Sequence, residues 1–454
     1  VKREQCLDHL KEIFLSGIKQ VDPQEMILSQ VFLKGDLLKV RLPGQTLDVD
    51  LSPFKRILLI GAGKASAKMA RAFETLLKER LKRGIISVKQ KPKEALYKTR
   101  IITAGHPVPD EASCQAAREI LALVKEADKE TLIINCLSGG GSSLLSLPYQ
   151  DSHLKITLEE KQAVTRLLLE CGATIQEINC VRKHLSAIKG GRLARSIYPA
   201  PCLSFILSDV VGDPLDSIAS GITAADKTTY SDAKGIVEKY NLTGSLPSAV
   251  RELITRGVKG DIPETVKEGD PVLKGITNIL IGTNRAALLG AGKRAEELGY
   301  NTVFLSSRII GETREIAKFY CALALDTARH QMLLAKPACI IGGGETTVTL
   351  KGTGQGGRNQ EMALAFLREL SHAGEGGRGI YFLSAGTDGN DGPTDAAGAF
   401  AYSDLADRGR ESGLSIDSYL KNNDSYNYFK AVEGLLVTGM TDTNVGDLQV
   451  VLVV

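Results

Sequence analysis

Gly61-Ala62-Gly63-Lys64 places one cation beside two glycines, between an apolar run and a helical stretch. Glycine lets the backbone approach an anion closely, and a helix start adds unpaired N–H groups and a positive dipole end. Ser138-Gly139-Gly140-Gly141-Ser142-Ser143 repeats the arrangement with three glycines between hydroxyls, a composition suited to a phosphate or carboxylate nest. Gly342-Gly343-Gly344-Glu345 and Gly352-Thr353-Gly354-Gln355-Gly356-Gly357-Arg358-Asn359 follow in the second half. The latter leads several glycines to an arginine at a helix start and reads as a phosphate cradle with a guanidinium clamp. Asp209, Asp213 and Asp388 each lie just beyond an apolar run, where a carboxylate suits Mg²⁺ binding or general-base work. Clustered amides, cations and oxygen donors of this kind handle anions.

Other chemistries lack their residues. The six histidines, at 9, 106, 153, 184, 330 and 372, form neither HxxxH nor HExxH, so no zinc site is expected. His106, within Gly105-His-Pro-Val-Pro-Asp110, is expected to be structural. No GxSxG elbow occurs, which argues against a serine hydrolase. The turn at Gly61 is neither a Walker A loop nor a GxGxxG fingerprint, whose third glycine is Ser66. Lys89 ends the next strand-like run, where an NAD-binding chain carries an acid. A tight structural turn with a solvated lysine accounts for Gly61–Lys64 about as well as an anion site does. Further on, a helix is predicted over Asn179–Arg192. Arg182, Ser186 and Lys189 share one of its faces at i, i+4, i+7 spacing. A solvated charged face is the ordinary explanation. The helix lies between the Gly-Ser turn and the Asp209 turn, which makes Arg182 and Lys189 candidates for holding an anion.

The elements that must carry these turns follow one grammar. Leu7, Leu10, Ile13, Phe14 and Ile18 lie on one helical face, and strand-like runs follow at Val31–Leu33 and Leu37–Leu42. Ile57–Ile60, Leu132–Leu137, Leu203–Leu207 and Ile279–Ile281 each run into a polar or glycine-rich turn, with helical stretches between. Thr157 and Glu160 have capping-box spacing. Alternating strands and helices predict an α/β fold with mostly parallel sheets flanked by helices, in two domains. The proline- and charge-rich stretch Gly244–Lys274 has no long apolar run and reads as the join. The expected layout is 1–245, an inter-domain segment 246–275, and 276–454. Ligands of such sheets bind at the carboxyl ends of strands, where every one of these turns falls.

Composition narrows the classes further. The 454 residues are 43% hydrophobic and 24% charged, which excludes a disordered chain, and 56 Lys+Arg against 53 Asp+Glu imply no polyanion partner. Neither nucleic acid nor membrane is expected as a partner. The eight cysteines show no CxxC spacing and several lie in apolar runs, as expected of free thiols in a reducing compartment. A cytoplasmic location is expected, with a mitochondrial one left open because the chain begins at Val1.

Taken in order, these motifs resemble the glycerate 2-kinase family with its C-terminal MOFRL domain. The resemblance runs from about Leu7 to Val454. It rests on Gly61–Lys64, Gly105–Asp110, Leu137–Ser142, Asn179-x-x-Arg182-Lys183, Leu207–Asp213, Gly342–Glu345, Gly356–Glu361, Thr387–Gly389 and Thr438–Thr441. Leu207–Gly221 is similar to animal glycerate kinases in particular. Asp442 stands where glycine is usual in the last motif. The resemblance implies a Rossmann-like N-terminal domain, a smaller MOFRL-type C-terminal domain and a site in the cleft between them. It implies ATP-dependent phosphorylation of D-glycerate to 2-phosphoglycerate with Mg²⁺, small-molecule substrates only, and leaves a homodimer open. Lys64 and Arg358 match the family's catalytic lysine and arginine. Phosphoryl transfer asks mainly for positioning and charge neutralisation, and the residues agree with that demand. Asp209 is the candidate base or metal ligand, and Asp388 a metal or nucleotide ligand. Gly63, Ser138, Gly139, Gly140, Gly141, Ser142, Arg182 and Lys189 are candidates for substrate or phosphate. Gly343, Gly344, Glu345, Gly356, Gly357, Asn359 and Thr387 are candidates for the nucleotide. The alternative is an NAD(P)H-dependent hydroxypyruvate reductase, which the missing glycine and the missing ribose acid disfavour.

Overall fold

The computed structural model describes residues 3–42 and 44–454. Contacts divide the chain into two compact units. One comprises Met26–Leu207 and Asp213–Ile281; the other comprises residues up to Glu25, Ser208–Gly212 and Gly282–Val454. No helix among the described residues is long and apolar enough to cross a membrane.

The first unit opens with a small antiparallel sheet of β1 (Val31–Lys34), β2 (Leu37–Leu42) and β3 (Gln45–Asp50). Its main sheet holds β4 (Arg56–Ala62), β5 (Leu81–Val88), β6 (Thr99–Thr103), β7 (Thr131–Leu137), β8 (Cys202–Leu207) and β9 (Ile276–Gly282). The order is β6-β5-β4-β7-β8-β9, with the pairs from β6 through β8 all parallel. The chain winds outward from β4 to β6, returns to β7 and winds the other way, so the order reverses between β4 and β7. That switch point is where doubly wound sheets bind their ligands. β7 and β8 are buried along their whole length, which is why their sequences read as nearly continuous apolar runs; the polar Asn135 and Ser204 within them bond to each other at 2.8 Å.

Two expectations change here. The stretch 246–275 does not stand between domains as a join. Val250, Leu253, Ile254 and Gly257 form the buried face of a helix, Ser248–Lys259, whose side chains share a core with the helices Leu158–Glu170, Ile175–His184 and Tyr230–Lys239. The prolines that suggested a linker sit outside that helix, Pro247 capping its start. The basic helix predicted over 179–192 is also shorter. It ends at His184, because the chain leaves it to pair with 147–149. Tyr149 N donates to the Leu185 carbonyl at 3.0 Å and Ala187 N to the Leu147 carbonyl at 2.9 Å. Arg182 therefore lies in the last helical turn and Lys189 in the loop beyond it.

The second unit is built on β10 (Asn301–Phe304), β11 (Ala338–Gly344), β12 (Ile380–Gly386), β13 (Gly398–Tyr402), β14 (Leu435–Leu436) and β15 (Asp447–Val453). The order is β10-β11-β15-β12-β13-β14. Only β10 and β11 pair in parallel; the other four pairs are antiparallel. The sheet is thus mixed, against the expectation of a mostly parallel one. The segment between β12 and β13 is too short for a helical crossover, which forces a return strand. β15 inserts between β11 and β12 and runs against both. Helices Thr313–His330 and Arg358–His372 pack a core on this sheet with Phe366 stacked on Phe382, ring centroids 4.3 Å apart. The N-terminal helix Arg3–Gln20 belongs to this unit, not with the stretch that follows it. Gly17 allows it to lie close to the helix Asn284–Glu297: a Cβ there would stand 3.0 Å from the Ala287 carbonyl oxygen.

Candidate active site

At the switch point of the parallel sheet, the turns after β4 and β7 are stitched to one another. Lys64 N donates to the Gly139 carbonyl at 2.9 Å, and Ser138 N to the Ala62 carbonyl at 3.2 Å. Ala65 N donates to Ser138 Oγ at 2.9 Å. Gly63 has φ +146°, and a Cβ on it would stand 2.1 Å from Ser138 Oγ and 2.6 Å from the Ser138 carbonyl oxygen. Only glycine fits there. Lys64 is thereby fixed at the start of the helix Ser66–Leu77, half-buried. Within the second turn, Gly141 N donates to the Ser138 carbonyl and both Ser143 N and Leu144 N to the Gly140 carbonyl. Part of the expected nest of amides is therefore spent inside the loop. Ser142 is half-buried, its Oγ 2.8 Å from Ser220 Oγ.

Two lysines are tied to this loop, and Arg182 is near enough for its charge to act on both. Lys189 is fully buried, and its Nζ donates to the Ser142 carbonyl at 2.6 Å and to Ser142 Oγ at 2.9 Å. Lys161, 3% exposed, donates to Ser146 Oγ at 3.1 Å. Burial, reinforced by the Arg182 charge, brings the Lys161 ammonium down to about 7. Burial, with Lys161 and Arg182 beside it, lowers Lys189 well below the ordinary range, and burial lowers Arg182 too. Lys183 on the same helix is different: it pairs with buried Asp226 at 2.5 Å and is a structural ion pair.

In the second unit Arg358 meets carboxylates. Its Nε and Nη2 bind the two oxygens of Asp447 at 2.6 and 2.9 Å, and its Nη1 binds Glu345 at 2.8 Å. Asp447 opens β15 between the carboxyl ends of β11 and β12, which is why strand insertion brings it to Glu345. Asp209, from the segment Ser208–Gly212 that clusters with this unit, accepts from Asn444 Nδ2 at 3.2 Å. Burial opposes the charge on Arg358, but Asp447 and Glu345 outweigh it and hold the guanidinium charged. Burial raises the Glu345 carboxyl, with Asp447 and Asp209 adding to the shift.

The glycines of this unit expected at the nucleotide each approach another part of the chain closely. A Cβ on Gly343 would meet Asn284 Oδ1 at 2.3 Å, and one on Gly344 the Ile309 carbonyl oxygen at 2.1 Å. Gly356 faces Ser425 and Gly357 faces Asp391 in the same way. Amides in the first part of the expected cradle have partners: Gly352 N donates to Asn423 Oδ1, as does the preceding Lys351 N, Thr353 N to Asn422 Oδ1, and Gln355 N to Asp424 Oδ1. Asn359 is buried between Asp391 and Ser384, and Thr387 Oγ1 donates to the Gly446 carbonyl at 2.6 Å. Asp388 Oδ1 accepts from Asn390 N within its own turn. Asp442 has φ +59°, a left-handed backbone that glycine adopts without strain.

Among the described residues, no group of three or more His, Cys, Asp or Glu side chains stands in metal-holding geometry. Mg²⁺ commonly takes one or two carboxylates and fills its shell with phosphate oxygens and water. Asp209 and Asp447 lie near enough to Glu345 for their charges to raise its carboxyl, so carboxylate oxygens of the kind such a shell uses are present beside Arg358.

Lys161, Asp447 and Asp391 were not singled out from sequence. Lys161 had a signal, since Lys161, Val164 and Leu168 share the buried face of one helix. Asp447 also had one, as a charge directly before a mostly apolar strand interrupted only by Gln449. Asp391 had none: its carboxylate reaches back to accept from Asn359 N and Gln360 N at 3.1 and 2.8 Å, capping a helix distant in sequence.

Fold and site define an α/β protein of two units, one carrying a lysine at the switch point of a parallel sheet and the other an arginine–carboxylate cluster on a mixed sheet. A domain family described as a domain of unknown function, DUF4147, matches residues 9–255, and the MOFRL family matches 338–447. The D-glycerate 2-kinase of Thermotoga maritima is 40% identical, over 92% of this chain and 94% of that one. The glycerate kinase of Rattus norvegicus is 36% identical, over 97% and 92%. A protein of Agrobacterium vitis named provisionally as a hydroxypyruvate reductase is 40% identical, over 98% and 94%. The crystal structure of the Thermotoga maritima glycerate kinase superposes with a TM-score of 0.85, covering 99% of this chain and 100% of that one at 37% identity. The chain belongs to the glycerate 2-kinase family, with a C-terminal MOFRL domain.

Proposed function

We propose that this chain transfers the terminal phosphoryl group of ATP to the 2-hydroxyl of D-glycerate. The observation that carries the reading is the pair of interlocked glycine turns at the β4–β7 switch point, which holds Lys64 at a helix start in a family of glycerate kinases. Lys64 and Arg358 supply positive charge to the transferring group, where preorganised charge lowers the barrier without reorganisation. Ser142, Arg182 and Lys189 hold the anionic substrate. Asp209 accepts the hydroxyl proton or contributes to a Mg²⁺ site with Glu345. Asp388 is the other candidate ligand for metal or nucleotide. Mg²⁺ bound with ATP would neutralise phosphate charge.

The test is product formation from D-glycerate, ATP and Mg²⁺, coupled to enolase with no phosphoglycerate mutase present. Enolase accepts only the 2-phosphate, so phosphoenolpyruvate absorbance is expected at once. ADP release without that signal overturns the choice of hydroxyl. The Agrobacterium vitis relative motivates one parallel tube with hydroxypyruvate and NAD(P)H. Cofactor oxidation there, without ADP release in the first tube, replaces the kinase reading.

A further inference from the structure

We propose that Lys161, Arg182 and Lys189 together form one buried binding site for the carboxylate of a small hydroxy acid. The proposal deepens the function above by assigning the acid end of glycerate to this cluster, with Lys161 as its third member. The three cations come from separate segments: the helix Leu158–Glu170, the end of the helix Ile175–His184, and the loop beyond. Lys161 and Lys189 are 3% and 0% exposed, and neither has a carboxylate partner among the described residues. Both are tied to neutral oxygens of one loop, Ser142–Ser146. A helix carboxyl end favours one cation through its dipole, which accounts for Arg182 and leaves the two lysines unexplained.

Buried cations without counter-charge are costly. A lysine can relieve the cost by losing its proton, as the lowered Lys161 and Lys189 indicate; an arginine cannot. The other charged and titratable groups near Lys161 are Arg192 and the Cys114 thiol. Arg192, held by the Lys183 carbonyl and Tyr230, is a further cation, so it adds to the positive charge and does not neutralise the cluster. An entering anion would. The loop amides of Gly141, Ser143 and Leu144 are already bonded within the chain and offer nothing to a tetrahedral oxyanion. Arg182 has a planar fork matched to a planar carboxylate.

The test is binding measured by calorimetry and thermal unfolding in chloride-poor buffer, with D-glycerate, inorganic phosphate and glycerol as probes. No ATP or turnover is required, so the outcome is independent of the kinase reading. D-glycerate is expected to bind and raise Tm, and neutral glycerol to do neither. Lys161→Met is expected to raise Tm without ligand and to weaken D-glycerate binding about 30-fold or more. If that variant does not fold, Arg182→Met carries the same test from a half-buried position. Unchanged D-glycerate affinity in the folded variant overturns the proposal, and so does binding of phosphate without binding of D-glycerate. A protein that binds D-glycerate through Lys161 yet yields no 2-phosphoglycerate refutes only the proposed activity.

Discussion

Replacing Arg358 with methionine separates its structural ion pairs from the catalytic role proposed for it. In the structure its guanidinium holds a bidentate pair with Asp447, whose side chain is 0% exposed, and a single bond to Glu345. Removing one partner of a buried ion pair costs about 3–5 kcal/mol, because the other charge is left unpaired. A third of the Arg358 side chain is open to solvent, at 33%, and Glu345 is more open at 43%. Solvent therefore screens the Glu345 arm, and Glu345, already raised by burial, can take up a proton. Most of the loss falls on Asp447, which lowers the expected cost to about 2–3 kcal/mol. Asp447 is the first residue of β15, the strand bonded to both β11 and β12. The readout is hydrogen exchange of the β15 amides, which should quicken about 30- to 150-fold if the strand opens that much more readily. The β7 amides, in the other unit, serve as the internal reference. Arg358→Lys keeps the charge and loses the fork, and should fall between. Unchanged β15 protection together with lost turnover would refute the structural role and leave Arg358 as a phosphate clamp alone.

Three further outcomes follow from named contacts. Burial raises the Asp391 carboxyl to about 7, against the stabilising amides of Asn359 and Gln360, while an unfolded aspartate titrates near 3.9. The folded state thus holds the extra proton between these values. Stability from this group is complete below about pH 4 and is lost as pH rises toward about 7, by at most about 1.4 kcal/mol per unit. Asp391→Asn should flatten that slope in urea unfolding, and equal slopes in both proteins would contradict the burial argument. Gly63→Ala forces a Cβ against the Ser138 backbone and should cost about 2–4 kcal/mol through overpacking and backbone strain, read as a drop in Tm; a Tm within a degree of wild type would show that the turns part easily. Lys64→Ala should lower turnover about 100-fold or more while leaving β4 and β7 exchange protection unchanged, and near-normal turnover would remove Lys64 from the mechanism.

The parallel sheet was legible because burial on both faces writes β4, β7 and β8 as apolar runs, and because Thr157 and Glu160 announce a helix start that the structure shows as a complete capping box. The second sheet was not. Nothing in Leu448–Val454 says that the last strand inserts between β11 and β12, since its direction depends on partners far away in sequence. The helix over 179–192 misled for a related reason. Its periodicity is real as far as His184, and the pairing of Leu185 and Ala187 with residues 147–149 ends it.

Glycine was the most ambiguous signal. A glycine reports that something approaches the backbone closely, without reporting what. At Gly63 the neighbour is Ser138, and at Gly357 it is Asp391. In both cases the close neighbour is the chain itself. Charge is the sharper marker, because its burial has a cost that must be met by a partner. Lys183 meets it with Asp226 and Arg358 with Asp447. Lys161, only a few residues from a capping box in an ordinary amphipathic helix, has no such partner among the described residues, and that is a stronger pointer to a ligand than any of the glycine runs.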